Sequence, residues 1–287
     1  MRPAEFDGPG PRGHCRALDL RAYLDRIGFD GEPAPDQATL ERLQYLHLLA
    51  IPYENLDVQL GRPVTTDPAA AFDKLVTRRR GGWCYEMNGL FGWALEAVGF
   101  SVTRLASGVM RSAMGAAALG NHLVLRVDLA EGPRLADVGL GDGPIHPFAI
   151  RQGPFKAGGH AYGLEAIEDG WWRLRNRSRA NPPDFDFHID HIDEALLARR
   201  CVALQTDPQS MFVLNLVCQR VRGDGFAQLL GRILRKTRHG ETSERCLTSA
   251  GELIDVLAGE FGLDEPAAAS LWPKILERHD AVFGQSV

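Results

Sequence analysis

The chain has 287 residues, a net charge of -5, 45% apolar and 24% charged residues, the composition of a globular protein with a sizeable core. At ~100–200 residues per domain this length predicts two or three compact units. The negative charge excludes a large basic surface for nucleic acid or anionic membrane, and no run reaches the ~18 apolar residues of a membrane span.

Along the first hundred residues the apolar spacing is helical. Asp19 caps a predicted helix facing inward through Leu20, Tyr23, Leu24 and Ile27 and stopped by Gly28. A second runs from about Asp36 to before Pro52, with Leu40, Leu43, Leu46 and Leu49 inward. Asp67-Pro68 opens a third, which buries Phe72, Leu75 and Val76 and breaks at Gly81-Gly82. A fourth starts near Cys84 and ends at Gly99. Arg78-Arg79-Arg80 is the one dense basic run, read as complementing a helix dipole.

From Ser101 the period shortens. Val102–Val109, His122–Leu129, Arg134–Val138, Leu164–Ile167 and Trp172–Leu174 read as strands of an antiparallel sheet or small barrel. Met211–Val221 is a further strand candidate, and Ser249 with Glu252 forms a capping box before a helix burying Leu253, Val256, Leu257 and Phe261. Soft boundaries fall near 100 and 205.

The five cysteines, at 15, 84, 201, 218 and 246, form no CxxC pair, which disfavours a disulfide framework or structural zinc. Met1 to Cys15 lacks the apolar segment of a signal peptide, so a cytoplasmic location with reduced thiols is expected. Other cysteines read as structural or incidental. The His188, Asp190, His191, Asp193 group reads as a solvated loop, and Trp171-Trp172 as sheet packing.

Cys84 stands apart through its context, Arg80-Gly81-Gly82-Trp83-Cys84-Tyr85-Glu86-Met87-Asn88. Two glycines permit a sharp turn and close approach of a ligand. The first turn of a helix, with its free N–H groups and positive dipole end, favours a thiolate, which is the nucleophilic form. The alternative is a buried structural cysteine, a common fate of that residue. The polar cluster Arg80, Glu86 and Asn88 is excessive for a core helix start and speaks for a nucleophile. A base and an orienting carboxylate would complete a triad, but nine histidines leave the choice of base open.

The chain resembles the arylamine N-acetyltransferases. Arg80-Gly81-Gly82-x-Cys84-x-Glu86-x-Asn88 is similar to their active-site motif at each defining position. Ile51-Pro52-Tyr53-Glu54-Asn55-Leu56-Asp57-Val58 with Gly61-Arg62, the His122 and Asp137-Val138-Gly139-Leu140-Gly141 segments, and Pro208-x-Ser210-x-Phe212 follow in order, so the resemblance spans roughly residues 18 to 265. It implies an α+β fold of three domains: a helical bundle over 1–100 bearing Cys84, a β-barrel over 101–205 bearing His122 and Asp137, and an α/β lid over 206–287, around a cysteine-protease-like catalytic core. It implies a triad of Cys84, His122 and Asp137, with acetyl-CoA as co-substrate, no permanently bound cofactor, and arylamines, hydrazines or N-hydroxyarylamines as acceptors. By position, Tyr53, Asn121, Leu140, Gly141 and Phe212 are expected to line the acceptor and CoA cleft, and Arg80, Gly81, Gly82, Glu86 and Asn88 to support the motif. Gly139, Gly141 and Gly143 resemble a phosphate loop only faintly, without the Lys-Ser/Thr of a P-loop.

Departures from the family's pattern bear on substrate rather than chemistry. Tyr53 and Leu140 stand where phenylalanine is common, Asn121 stands where Thr or Ser is usual, and Met110–Gly120 has the Ala/Gly-rich composition of a mobile loop. Two other classes share the triad: amide synthases acting on a carrier-bound polyketide, and Cys-His-Asp hydrolases, which must admit water to the acyl-enzyme.

Overall fold

The computed structural model describes residues 18–177 and 180–284; the Met1–Cys15 stretch lies outside them. The N-terminal elements are α1 (Leu20–Ile27), α2 (Gln37–Ala50), the two-residue β1 (Tyr53–Glu54), α3 (Leu56–Gln59), α4 (Pro68–Phe72), which runs on into a π-helical turn over Asp73–Thr77, and α5 (Cys84–Val98). Asp19, Asp36 and Asp67 accept backbone N–H bonds at the starts of α1, α2 and α4, and Gly28 and Gly99 close α1 and α5 in the left-handed conformation. The inward face of α2 differs in part from the leucine stripe: Leu40 and Leu43 are buried, but so are Gln44 and His47, while Leu46 and Leu49 are half-buried.

β2 (Ser101–Val109), α6 (Arg111–Met114), β3 (His122–Leu129), β4 (Gly132–Ala136), β5 (Phe148–Ala149), β6 (Gly153–Ala157), β7 (His160–Ala166), β8 (Trp171–Arg175) and β9 (Asp184–His188) follow. The eight strands form one antiparallel sheet in the order β5-β4-β3-β2-β9-β8-β7-β6. Its edge strands β5 and β6 are consecutive in sequence, and Phe148 and Phe155 stack across the gap at 4.7 Å, so the sheet is a nearly closed barrel. Met110–Gly120, expected as a loop, folds into α6 and a 3₁₀ turn over Gly115–Ala118. Arg111 and Ser112 tie α6 to Asp186 and Asp184 of β9 at 3.0 and 2.7 Å.

The rest comprises α7 (Glu194–Thr206), α8 (Met211–Leu214), a β10 (Val217–Arg222), β11 (Gly225–Leu230), β12 (Ile233–Arg238), β13 (Glu241–Cys246) meander, α9 (Ala250–Val256) and α10 (Trp272–Phe283). The strand expected over Met211–Val221 is corrected here: α8 occupies its first half. Ser210 caps α8, and the Asn55 side chain holds the carbonyls of Phe212 and Asn215 at 2.9 Å each, so these residues satisfy their backbone locally. Only from Val217 does the chain join the sheet, where β10 also pairs with β1, linking the N-terminal region to the C-terminal meander.

Candidate active site

Cys84 is the first residue of α5. Its approach is fixed by Gly81 and Gly82, which pass so close to the Pro52–Glu54 segment that a Cβ on Gly81 would collide with the Pro52 carbonyl; Glu54 N–H donates to Gly82 O at 2.9 Å. The first intrahelical bond is Met87 N–H to the Trp83 carbonyl, 2.9 Å, so the N–H groups of Cys84 and Tyr85 precede the helical ladder and are open donors at the base of the sulfur.

Opposite lies the start of β3. His122 is buried, and its Nε2 meets Asp137 Oδ2 at 2.8 Å. The other Asp137 oxygen accepts from Asn88 Nδ2 at 2.8 Å and from Gly139 N–H at 2.7 Å. Asn88, one turn after Cys84 on α5, also donates to Leu123 O at 2.7 Å and accepts from Val138 N–H at 2.9 Å. One amide thus pins the helix carrying the sulfur to both segments carrying His122 and Asp137. Gly139 is required by close approach, because a Cβ there would lie 2.6 Å from the Cys84 Cα.

The electrostatics of His122 follow from this packing. Burial disfavours the imidazolium, but the Asp137 charge, the Asp137 hydrogen bond, and the hydrogen bond and charge of the Cys84 sulfur outweigh it and raise the ring to about 10. With Nε2 committed to Asp137, Nδ1 is the nitrogen left for the sulfur.

Beneath the Cys84 turn is an ion network; the sequence motifs contain its Glu54, Asp57, Arg62, Arg80 and Glu86 but not Lys74 or Glu265. Lys74 Nζ lies 2.9 Å from Glu86 Oε1 and 2.9 Å from Asp57 Oδ2, with Glu54 Oε1 at 3.9 Å, and the lysine is only 3% exposed. Arg80 is buried, reaching Glu54 at 2.8 Å, Asp57 at 3.4 Å, and Glu265. Arg62 joins Glu265 at 2.6 Å and Asp57 at 3.3 Å. Arg80 therefore does not act as a solvent-facing dipole partner, whereas Arg78 is exposed and pairs with Asp73 at 2.8 Å. Glu86 accepts from Trp83 N–H at 3.2 Å, capping α5 one residue before the sulfur. Burial, reinforced by the Glu54 charge and opposed by Lys74, pushes Glu86 up to about 7. Lys74 was legible in principle: it stands between Ala71 and Leu75 on the face that the helical period buries.

The residues expected at the cleft fall into two groups. Tyr53, in β1, is 8% exposed and joins an apolar cluster with Trp83, Cys84 and Val217, against which half-buried Phe212 packs. Phe212 meets the Trp83 ring edge-on at 5.2 Å. Gly141 has φ +78° and lies against Gln219 Oε1, which a Cβ would strike. Leu140 turns into the barrel core. The Asn121 side chain is spent on the backbone of Val109, at 2.8 and 3.2 Å, while its carbonyl oxygen lies 3.9 Å from the Cys84 sulfur. The His188 group shows ordinary roles: His188 accepts from Asp190 N–H, Asp193 caps α7, and both histidines pack on Trp171. No helix among the described residues is long and apolar enough to cross a membrane.

The chain is similar in sequence and fold to known proteins. Residues 36–268 match the N-acetyltransferase family model. An arylamine N-acetyltransferase of Mycolicibacterium smegmatis is 38% identical over 255 residues, covering 86% of this chain and 93% of the relative. One from Mycobacterium tuberculosis is 34% identical over 265 residues, covering 86% and 90%. The Mycobacterium marinum arylamine N-acetyltransferase solved in complex with CoA superposes with a TM-score of 0.81 at 33% identity, covering 92% of this chain and 99% of that one. With its Cys84 turn set against His122 and Asp137, the chain belongs to the arylamine N-acetyltransferase family and is an acyltransferase.

Proposed function

We propose that Cys84, His122 and Asp137 are the catalytic triad of a ping-pong transfer of acetyl from acetyl-CoA to arylamines, hydrazines or N-hydroxyarylamines. The observation that carries this reading is the 2.8 Å His122–Asp137 bond in a buried pocket, where the Asp137 charge and hydrogen bond first, and the Cys84 sulfur second, favour the imidazolium against burial. The Cys84 thiolate attacks the thioester carbonyl of acetyl-CoA. A new S–C bond forms, the C–S bond to CoA breaks, and His122 gives the leaving sulfur its proton. The open N–H groups at the start of α5 stabilise the oxyanion. In the second half-reaction the acceptor nitrogen attacks the acetyl-thioester, loses a proton to His122, and expels the Cys84 thiolate. Because one thioester replaces another, the stored acetyl group costs little free energy. A weakly basic aromatic amine is neutral at pH 7 and ready to attack.

On the same reading the chain divides into a helical bundle, a barrel and an α/β lid around a cysteine-protease-like core, supported by the helical run to Val98, the eight-stranded sheet and the β10–β13 meander. Cytoplasmic location and a role in xenobiotic metabolism belong to this proposal as well. Intact-protein mass spectrometry after mixing with acetyl-CoA, without acceptor, tests it: one acetyl group is expected on Cys84, discharged by an added arylamine or hydrazine and absent from Cys84→Ala. A folded Cys84→Ala protein with full transfer activity refutes it.

A further inference from the structure

The buried stripe of α2 is interrupted where the helix meets the loop that follows β4. Gln44 shares that stripe with Leu40, Leu43 and His47 and is only 1% exposed. A carboxamide on a core face costs desolvation free energy unless both its ends are paired. Both are. Gln44 Oε1 accepts from the Asp137 N–H at 3.3 Å, and Gln44 Nε2 donates to the Pro144 carbonyl at 3.3 Å. One partner is a donor and the other an acceptor, so a single orientation of the amide serves both, and an apolar side chain of the same size serves neither. These partners are the two ends of one loop. β4 stops pairing with β3 at Ala136, which leaves the Asp137 N–H beyond the ladder. Between Asp137 and Pro144 lie Gly139, set against the Cys84 Cα, and Asp142 and Gly143, whose carbonyls accept from Asn176 at 2.8 Å and from Tyr162 at 3.4 Å. α2 is splinted to the same region on either side of Gln44: Gln37 accepts from Arg134 of β4 at 2.6 Å, and Tyr45 stacks on His146 with ring centroids 5.4 Å apart.

We infer that Gln44 is a positioning residue for the transfer reaction: by clasping both ends of the 137–144 loop it fixes the main chain from which the Asp137 carboxylate reaches His122. The inference rests on the triad reading above. Asn88 holds the carboxylate through Oδ1 and also the Val138 N–H, both from α5. Gln44 holds the Asp137 main chain itself, from a different helix. Without it the Asp137 N–H is a buried donor with no partner at the point where the chain leaves the strand, and the loop must shift to find one. Such a shift acts directly on the 2.8 Å His122–Asp137 bond, because Asp137 is the residue that moves. Gln44 lies outside every motif that marks the family in this sequence and is 93 residues from Asp137, so only the packing of α2 brings it to the site.

The test is Gln44→Met, close in volume, read by stopped-flow release of CoA in the first turnover at saturating acetyl-CoA, without acceptor. Only sites that take up acetyl contribute, so the rate constant does not depend on any unfolded fraction. At pH 7 it is expected to fall about tenfold, within the ~10²-fold that a misplacement of about 1 Å can cost. The alkaline limb of the profile is expected to move to lower pH, because a looser Asp137 contact raises His122 less. A residue that only stabilised the fold would lower the thermal midpoint and leave both readings unmoved. Gln44→Asn, one methylene shorter and unable to span both partners, is expected to act in the same direction and serves if the methionine variant fails to fold. A rate constant within about twofold of the unaltered enzyme, with an unmoved limb, in either folded variant overturns the inference and leaves the triad standing. Failure of the unaltered enzyme to take up acetyl on Cys84 overturns both.

Discussion

Replacing Lys74 by methionine tests the idea that the turn carrying Cys84 is held by a buried ion network. The lysine is the only ammonium group in a cluster whose described members are four carboxylates, Glu54, Asp57, Glu86 and Glu265, and the two guanidinium groups of Arg62 and Arg80. Its charge touches Glu86 and Asp57 at 2.9 Å and is nearly sealed from water. Removing one partner of such a buried set leaves uncompensated charge and costs roughly 3–5 kcal/mol. At roughly 2–4 °C per kcal/mol for a chain of this size class, the midpoint of thermal unfolding should fall by about 6–20 °C. The loss should depend on pH. Glu86, normally near 4.5, is already pushed up to about 7, and without Lys74 its carboxyl rises further. A carboxyl whose folded value exceeds its unfolded value loses stability as pH climbs from the unfolded value through the folded one. The deficit of the variant should therefore be largest at pH 8 and shrink toward pH 5, where the excess carboxylates take up protons. Thermal melts of both proteins between pH 5 and pH 8 read this directly. A deficit below about 1 kcal/mol, or one independent of pH, refutes the reasoning, because it would place the lysine in an environment as forgiving as a surface ion pair.

The remaining predictions concern two buried histidines. The contacts that raise His122 to about 10 stabilise the fold fully below its ordinary value of 6.5 and are lost as pH rises through about 10. Cys84 acetylation, followed by stopped-flow release of CoA, should accordingly persist into alkaline solution and decline only as His122 deprotonates. Asp137→Asn should slow that step by roughly 10²–10⁴-fold and shift the alkaline limb to lower pH; an unmoved limb would show that Asp137 does not charge the ring. His47, sealed against Phe91 and bonded through Nδ1 to the Tyr23 hydroxyl at 3.0 Å, is lowered from 6.5 to about 3 by burial and by Arg26. It opposes folding as pH falls from 6.5 toward 3, because the unfolded chain takes up the proton more readily. His47→Leu should flatten the acid limb of the stability profile, and an unchanged acid midpoint would count against that assignment.

Much of the fold can be read locally. The helix starts at Asp19, Asp36 and Asp67 and the stops at Gly28 and Gly99 are visible because caps satisfy backbone groups within a few residues. β3 coincides with the His122–Leu129 segment because leucine or valine stands at every second residue from Leu123 to Leu129, although His122–Leu125 are all buried. β9 and β13 are less visible. In β9 Asp184 and Asp186 are buried alongside the phenylalanines, compensated by Ser112, Arg111 and Arg173 from elsewhere in the chain. Every residue of β13 is exposed, so no apolar period marks it. Over Met211–Leu214 the composition suits a strand, but Ser210 and Asn55 satisfy the backbone as a helical turn, and Asn55 is more than 150 residues away.

By itself, the sequence determined the setting of Cys84, since two glycines, the helix start and the Glu86 and Asn88 positions all lie within nine residues of Arg80. It also determined, through ordered motifs, the identity of the base and carboxylate to be tested. Tertiary structure alone decided what surrounds them. The Lys74 network joins residues 54 to 265, and the Gln44 carboxamide meets Asp137 only because α2 lies beside the end of β4. Buried charges and amides take their meaning from partners brought in by folding, and neither composition nor period records which partners those are.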